Sequence, residues 1–518
     1  MFLIMIVRHM VAARSIKSGE LIMEDEPLTY GPLSSSGVAP LCLGCYKSLS
    51  GRSRGRGIRC QGCGWPVCSE KCAQRPAHRD LECRLFSEAG VKVDVDNFVM
   101  SGEPEVAYSC ISPLRGLILK DMDPEKFSLI WGLMSHNEAR RAEDYWVSKH
   151  GPIIKYIRET MGLTQFSEDD IDTVLGIYLV NDFEINGRIE GEEFASTGGN
   201  DSVRGLYQIA SIPNHNCIAN ASHIFTSLDE GFRMIVTACR DIAEGEDITH
   251  SYVEVQEPFL ARQELLKMGK FFKCCCPRCS DPTELQTYSS ALLCPAPKCR
   301  QVKGGAPVIT KNVKDILSDW SCTNCNKLFP VSKISNVCGA IKEHGQKLEY
   351  TKERAEECGI DAHEAFLKKY KPVLHPNHVI LIRAKYSLAK MYGRMEGYEA
   401  NNLSFELLER KRQLCEEVLG VLDVIMPGSV RMRGVMLYEL HLPYVMIANR
   451  QLQAGPGGGA DPAKICANLK KGLKYLKQGI EILKLQPENS FEAKIVAGAK
   501  DSLVELENWV KTITQALK

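Results

Sequence analysis

The chain has 518 residues, with 64 Lys plus Arg against 64 Asp plus Glu, 44% hydrophobic residues and 25% charged ones. This balance predicts a soluble globular chain of roughly three to five domains, and it excludes a global field that would draw the chain to nucleic acid or an acidic membrane. Twenty-two cysteines without a recognisable secretory signal predict a reducing compartment, cytoplasm or nucleus, with structural metal rather than disulfides.

In chain order, Met1 to Val7 is an apolar opening far shorter than the ~20 residues that span a bilayer. It predicts a first β-strand, or a gene start other than the one shown. Val11 to Ile16 and Leu21-Ile22-Met23, on either side of Lys17-Ser18-Gly19, predict extended structure. Pro27, Gly31, Pro32 and the Ser34 to Gly37 run predict an exit loop. Cys42-x2-Cys45, Cys60-x2-Cys63, Cys68-x3-Cys72, His78 and Cys83 then supply eight donors at paired spacing, enough for two tetrahedral zinc ions. The basic Gly51 to Gly57 segment between them reads as a solvated connection, with phosphate binding the lesser alternative.

Residues 115 to 180 carry helical periodicity, and Ile171, Val174, Leu175 and Tyr178 share one face. From 205 to 253 the texture changes to strands: Ala221 to Phe225, Phe232 to Ala238 and Ile248 to Tyr252, separated by turns at Asp229-Glu230-Gly231 and Glu244-Gly245-Glu246. Cys294-x4-Cys299 and Cys322-x2-Cys325 predict a further zinc, in a ribbon-like segment. Beyond about 335 the chain reads as helices. Leu407, Leu408, Leu414, Cys415, Val418, Leu419 and Leu422 form one apolar stripe, and Leu473, Leu476, Ile480 and Leu483 another. Pro427-Gly428, Gly455 to Gly459 and Pro487 punctuate them, which suggests an antiparallel array of tetratricopeptide type without its strict signature. Cys110, Cys239, Cys275, Cys338, Cys358, Cys415 and Cys466 read as packing residues.

The motif richest in chemistry is Asn214-His215-Asn216-Cys217, followed by Gly245-Glu246, Ser251-Tyr252 and then Phe272 ahead of Cys274, Cys276 and Cys279. In this combination the chain resembles the SET- and MYND-domain family of lysine methyltransferases, and its extra cysteines look closest to arthropod members. The resemblance extends to the helical tail, at Leu374 to His378 and Leu437 to His441.

The fold it implies is α+β and multidomain. A first SET part would occupy 1–40, a MYND-type zinc module 41–84, a helical insert and linker 85–204 and core SET 205–255. A post-SET segment at 256–282, a zinc-ribbon-like segment at 283–334 and an all-α, TPR-like domain at 335–518 would follow. It also implies that Tyr252 lines the meeting point of substrate lysine and S-adenosylmethionine. Arg8, His9, Asn181, Asn214 and His215 would hold that cofactor, and Phe272 would pack on the adenine. Cys217 would complete a zinc site with Cys274, Cys276 and Cys279, since a structural zinc takes four ligands, with Cys275 spare. The partners implied are proteins with an accessible lysine, acted on by a monomer.

The chain departs from the family at three places. Val7-Arg8-His9-Met10 stands where the family carries Gly-x-Gly, which predicts weakened cofactor binding or a different amino terminus. His78-x4-Cys83 is one residue longer than usual, an excess that an irregular turn could absorb. Pro213 precedes Asn214 and predicts an extended lead-in at Ile212. The competing reading is a catalytically weak or inactive zinc adaptor that binds proline-containing peptides through the MYND-like module.

Overall fold

The computed structural model describes residues 9–33, 41–49, 57–91, 104–143, 146–186, 202–348, 355–453, 461–488 and 490–516. Met1 to Arg8, the basic Gly51 to Arg56 segment and the Gly455 to Gly459 tract lie outside them. The first strands are β1 (Met10–Val11), β2 (Leu21–Asp25) and β3 (Pro27–Pro32), followed in the cysteine module by β4 (Ile58–Arg59) and β5 (Pro66–Val67). Helices α1 (Pro104–Met122) and α2 (Glu168–Asn181) come next. They lead to β6 (Asp182–Asn186), β7 (Ser202–Tyr207), β8 (Asn214–His215), β9 (Ala221–Phe225), β10 (Met234–Ala238) and β11 (Asp247–His250).

Three small sheets are woven from segments distant in sequence, in the orders β1-β11-β8, β2-β10-β9 and β3-β7-β6. The Pro27 to Pro32 stretch is therefore a strand and not the expected exit loop. Its prolines sit at the two ends, where a missing N–H breaks no central ladder bond. Gly31 lets this strand pass α1, since a Cβ there would meet the Ser112 hydroxyl at 2.5 Å. The expected extended lead-in to β8 is instead a run of turns from Gln208 to Pro213, closed by Ile212 N–H donating to the Ile209 carbonyl. Phe232, expected in a strand, takes a left-handed turn conformation (φ 56°), and β10 begins at Met234. β11 ends at His250, so Ser251 and Tyr252 are free of the ladder.

Helix α2 starts at Ser167, whose hydroxyl accepts the Asp170 N–H, and Glu168, Asp169 and Asp170 complement the helix dipole. Its Ile171, Val174, Leu175 and Tyr178 are buried against α1. Helix α3 (Phe259–Lys270) follows the sheets. A four-stranded antiparallel sheet comes next, built from β12 (Leu292–Leu293), β13 (Pro307–Thr310), β14 (Trp320–Cys322) and β15 (Leu328–Phe329).

The rest is helical: α4 (Val331–Gln346), α5 (Ile360–Tyr370), α6 (Val379–Met391), α7 (Phe405–Ile425), α8 (Arg431–Gln453), α9 (Pro462–Leu483) and α10 (Phe491–Ala516). In α7, Leu408, Leu414, Cys415, Val418 and Leu422 are fully buried, each large aliphatic side chain contributing about 1.5–3 kcal/mol. Helices α8 and α9 cross closely at Gly434, Gly472 and Gly479. The helical region packs on the sheets through Pro427-Gly428-Ser429. Ser429 N–H donates to the Cys239 carbonyl (2.6 Å), and the Ser429 and Ser18 hydroxyls lie 2.9 Å apart. Among the described residues no helix is long and apolar enough to cross a membrane.

Candidate active site

The sixteen metal-type donors converge as four quartets: Cys42, Cys45, Cys68 and Cys72; Cys60, Cys63, His78 and Cys83; Cys217, Cys274, Cys276 and Cys279; Cys294, Cys299, Cys322 and Cys325. Within each, the ligand atoms lie within 4.8 Å of one another. Contacts such as Cys60–Cys83 (3.6 Å), Cys217–Cys279 (3.5 Å) and Cys299–Cys322 (3.6 Å) suit a tetrahedral ion with ~2.3 Å bonds, whose sulfurs stand ~3.8 Å apart. The donor sets therefore fit zinc.

In the first two quartets the pairs interleave. The first and third cysteine groups hold one site, and the second closes with His78 and Cys83. The extra residue between His78 and Cys83 is taken up by a kinked turn over Arg79–Cys83, where Leu81 leaves helical geometry at φ −103°, ψ −107°. Behind this site His78 Nδ1 lies 2.8 Å from the buried Glu82 carboxylate, which accepts two bonds from Arg115 of α1 at 2.6 and 2.7 Å. Arg115 also donates to the Tyr46 hydroxyl and the Tyr30 carbonyl of β3. This chain of buried groups fixes the His78 tautomer and ties the cysteine module to the sheets.

The third quartet draws the segment after α3 onto the Asn214–Cys217 loop. Gln263 of α3 brackets Cys274 by donating to its carbonyl (2.9 Å) and accepting its N–H (3.1 Å). Parallel pairing of β8 with β11 sets His250 beside His215, and Asn216 N–H donates to the His250 carbonyl at 3.1 Å. The chain leaving β11 then delivers Tyr252, whose N–H donates to His215 Nδ1 at 3.0 Å and whose hydroxyl donates to the Pro213 carbonyl at 2.8 Å. Phe272 completes the group, its ring 6.2 Å from that of Tyr252 and 5.9 Å from that of His215.

Burial sets the charge of this region. It pushes His215 and His223 down to about 4 and His250 to about 3, so all three rings are neutral at pH 7. Burial raises Tyr252 to about 12, keeping its hydroxyl protonated. The half-buried site thus offers a fixed hydroxyl, neutral imidazoles and aromatic faces. Such surroundings disfavour an ammonium and favour a neutral amine.

Tyr252, His215, Asn214 and Phe272 are together here. His9 is exposed and Arg8 lies outside the described residues. Asn181 is the last residue of α2, and its amide donates to the Met134 and Ile177 carbonyls at 2.7 and 2.8 Å, a helix-end role. Cys275 is exposed and therefore not a packing residue, whereas Cys110, Cys239, Cys358, Cys415 and Cys466 are buried and Cys338 half-buried. Sequence reasoning missed Lys270, whose Nζ lies 5.9 Å from the Tyr252 ring centre, and the buried His250. Adjacency to Phe272 and Ser251-Tyr252 was the only signal, and neither has a motif of its own.

Compared with known proteins, residues 7–253 match the SET domain model. The chain is 29% identical over 441 residues to the SET domain-containing protein SmydA-8, isoform B, of Drosophila melanogaster, covering 84% of this chain and 88% of that one. It is 22% identical to the Histone-lysine N-methyltransferase ASHR1 of Arabidopsis thaliana, over 83% of each chain. A 93-residue stretch is 36% identical to the Protein-lysine N-trimethyltransferase SMYD5 of Gallus gallus, covering 17% of this chain and 21% of that one.

Proposed function

We propose, from the premise that this chain belongs to the SET- and MYND-domain family, that it methylates lysine side chains of proteins, histone or otherwise, with S-adenosylmethionine as donor. The observation that carries the reading is the enclosure of Tyr252 by His215 and Phe272, held shut by the Cys217 quartet. Phe272 offers a half-buried ring face and Asn214-His215 a strand end, a combination that suits the adenosyl group. When bound, the cofactor supplies a methyl group on a sulfonium sulfur.

The chain's own residues then do the positioning, which is most of the work in such a transfer. Tyr252, anchored at its hydroxyl by Pro213 and at its N–H by His215, walls the place where a lysine amine would be aimed. The neutral imidazoles add no competing cation, so the apolar walls favour loss of the amine's proton. The quartets at 42–83, Cys217–Cys279 and 294–325 would hold zinc as structural ties, binding free energy serving as local folding free energy. The cysteine usage supports a protein of the cytoplasm or nucleus.

The test is calorimetric titration with S-adenosylmethionine, followed by mass spectrometry of core histones and cell-extract proteins incubated with the protein. Heat of binding and new methyl-lysine are expected, and Tyr252→Phe should lose at least ~100-fold in transfer while still binding the cofactor. No transfer by the wild type to any lysine would overturn the reading. The adaptor alternative would then lead.

A further inference from the structure

Lys270 ends α3, and the left-handed Phe271 (φ 59°) turns the chain so that its side chain enters the wall of the Tyr252 site. The ammonium donates to the Val180 carbonyl of α2 at 2.7 Å and lies over the Tyr252 ring, 5.9 Å from its centre. Neither zinc binding nor the aromatic cluster uses this amine. Its charged neighbours come from three elements. At the start of β6, Asp182 attracts it, but Asp182 also stands 3.8 Å from Arg204 of β7. From β11 it faces His250, whose ring meets those of Tyr252 and His223 edge-on, and the His223 and His250 rings are neutral at pH 7. The site therefore holds two cations against one carboxylate before any substrate arrives. Burial already pulls Lys270 below the ordinary lysine range.

A substrate lysine brought to Tyr252 adds a third cation. Two ammonium groups ~5–6 Å apart repel by about two pKa units at an effective dielectric constant of ~20. The ready relief is loss of one proton, and a coupled pair then titrates as a unit. We propose that Lys270 is a further functional residue of the transfer, whose amine holds one proton jointly with the amine of the substrate lysine, leaving the substrate nitrogen neutral for attack. This rests on the methyltransferase reading. The substrate ammonium gives its proton to solvent. Its lone pair then forms the nitrogen–carbon bond as the carbon–sulfur bond of the sulfonium breaks, and sulfur leaves with the electron pair as a thioether.

The test compares wild type with Lys270→Met and Lys270→Arg, all as full chains loaded with zinc. Calorimetry of a lysine-bearing core-histone tail peptide, run at pH 7.5 in buffers of different ionisation enthalpy, counts the protons released on binding. Release near one proton is expected for wild type and Lys270→Arg, and near zero for Lys270→Met. In the transfer assay the acid limb of the pH profile should move up by about one to two pH units in Lys270→Met and stay in place in Lys270→Arg. Equal proton release and equal pH profiles in wild type and Lys270→Met would overturn the inference while leaving the methyltransferase reading intact. Should Lys270→Met fail to fold, release near zero by the wild type alone would overturn it. Absence of transfer with cofactor bound sinks both readings together.

Discussion

Glu82 and Tyr252 separate two kinds of importance. Glu82 touches no zinc directly, yet it is fully buried and answers the charge of Arg115 while orienting His78. Glu82→Ala leaves a buried guanidinium unpaired, and a loss of about 3–5 kcal/mol in urea unfolding is expected. Tyr252→Phe removes one neutral hydrogen bond, worth about 1 kcal/mol, so it should cost transfer far more than stability. His250 gives a pH signature. Its folded value of about 3 lies below the ~6.5 of an unfolded histidine, so its contribution is complete above ~6.5 and is lost as pH falls toward the folded value. Melting temperature should therefore fall between about pH 6.5 and 5, and more gently in His250→Phe, whose zinc ligands protonate as in the wild type. Equal slopes in the two proteins would refute this assignment.

At the scale of elements, the segment from α3 to Cys279 is held at the Cys217 quartet and by its buried Cys274, Arg278 and Cys279. Phe272 and Cys276 are half-buried, and Lys273 and Cys275 are exposed. Cys217→Ser leaves three thiolates, so bound zinc should fall by one ion per chain. Limited trypsin digestion should then open the chain at Lys270 and Lys273 faster than in the wild type. The turn between α7 and α8 makes a different kind of joint. Gly428 has φ 86°, and a Cβ there would strike the Cys239 carbonyl. Gly428→Ala should destabilise the contact between the helical region and the sheets by at least ~1 kcal/mol, read as earlier unfolding in urea.

On the scale of the whole molecule, four quartets predict four zinc ions per chain by native mass spectrometry, lost on treatment with a strong chelator. The helices from α6 to α9 bury apolar side chains against one another, in a core that continues into the third and fourth quartets, and should keep much of their helical signal after zinc is removed. Much of this organisation was legible in the residues. Paired cysteine spacing named the donors that converge as four quartets fit for zinc, because a short gap between thiolates serves few other purposes. The stripes of α2, α7 and α9 were legible because burial repeats with the helical turn. The Pro27 to Pro32 strand was not legible, since prolines and glycine there look like a loop until β7 pairs alongside. Nor were the turns from Gln208 to Pro213 that lead into β8.

By itself the sequence determined the donor inventory, the helix faces and the order Asn214-His215, Ser251-Tyr252, Phe272, because these depend on spacing along one chain. Only the tertiary structure decided how the eight donors of the first module divide into interleaved quartets, that Asn181 is held by main-chain carbonyls, and that Lys270 stands beside Tyr252. Those facts depend on which distant segments become neighbours. That is settled by strand pairing, by the turn at Phe271 and by the shared burial of charge, none of which local spacing encodes.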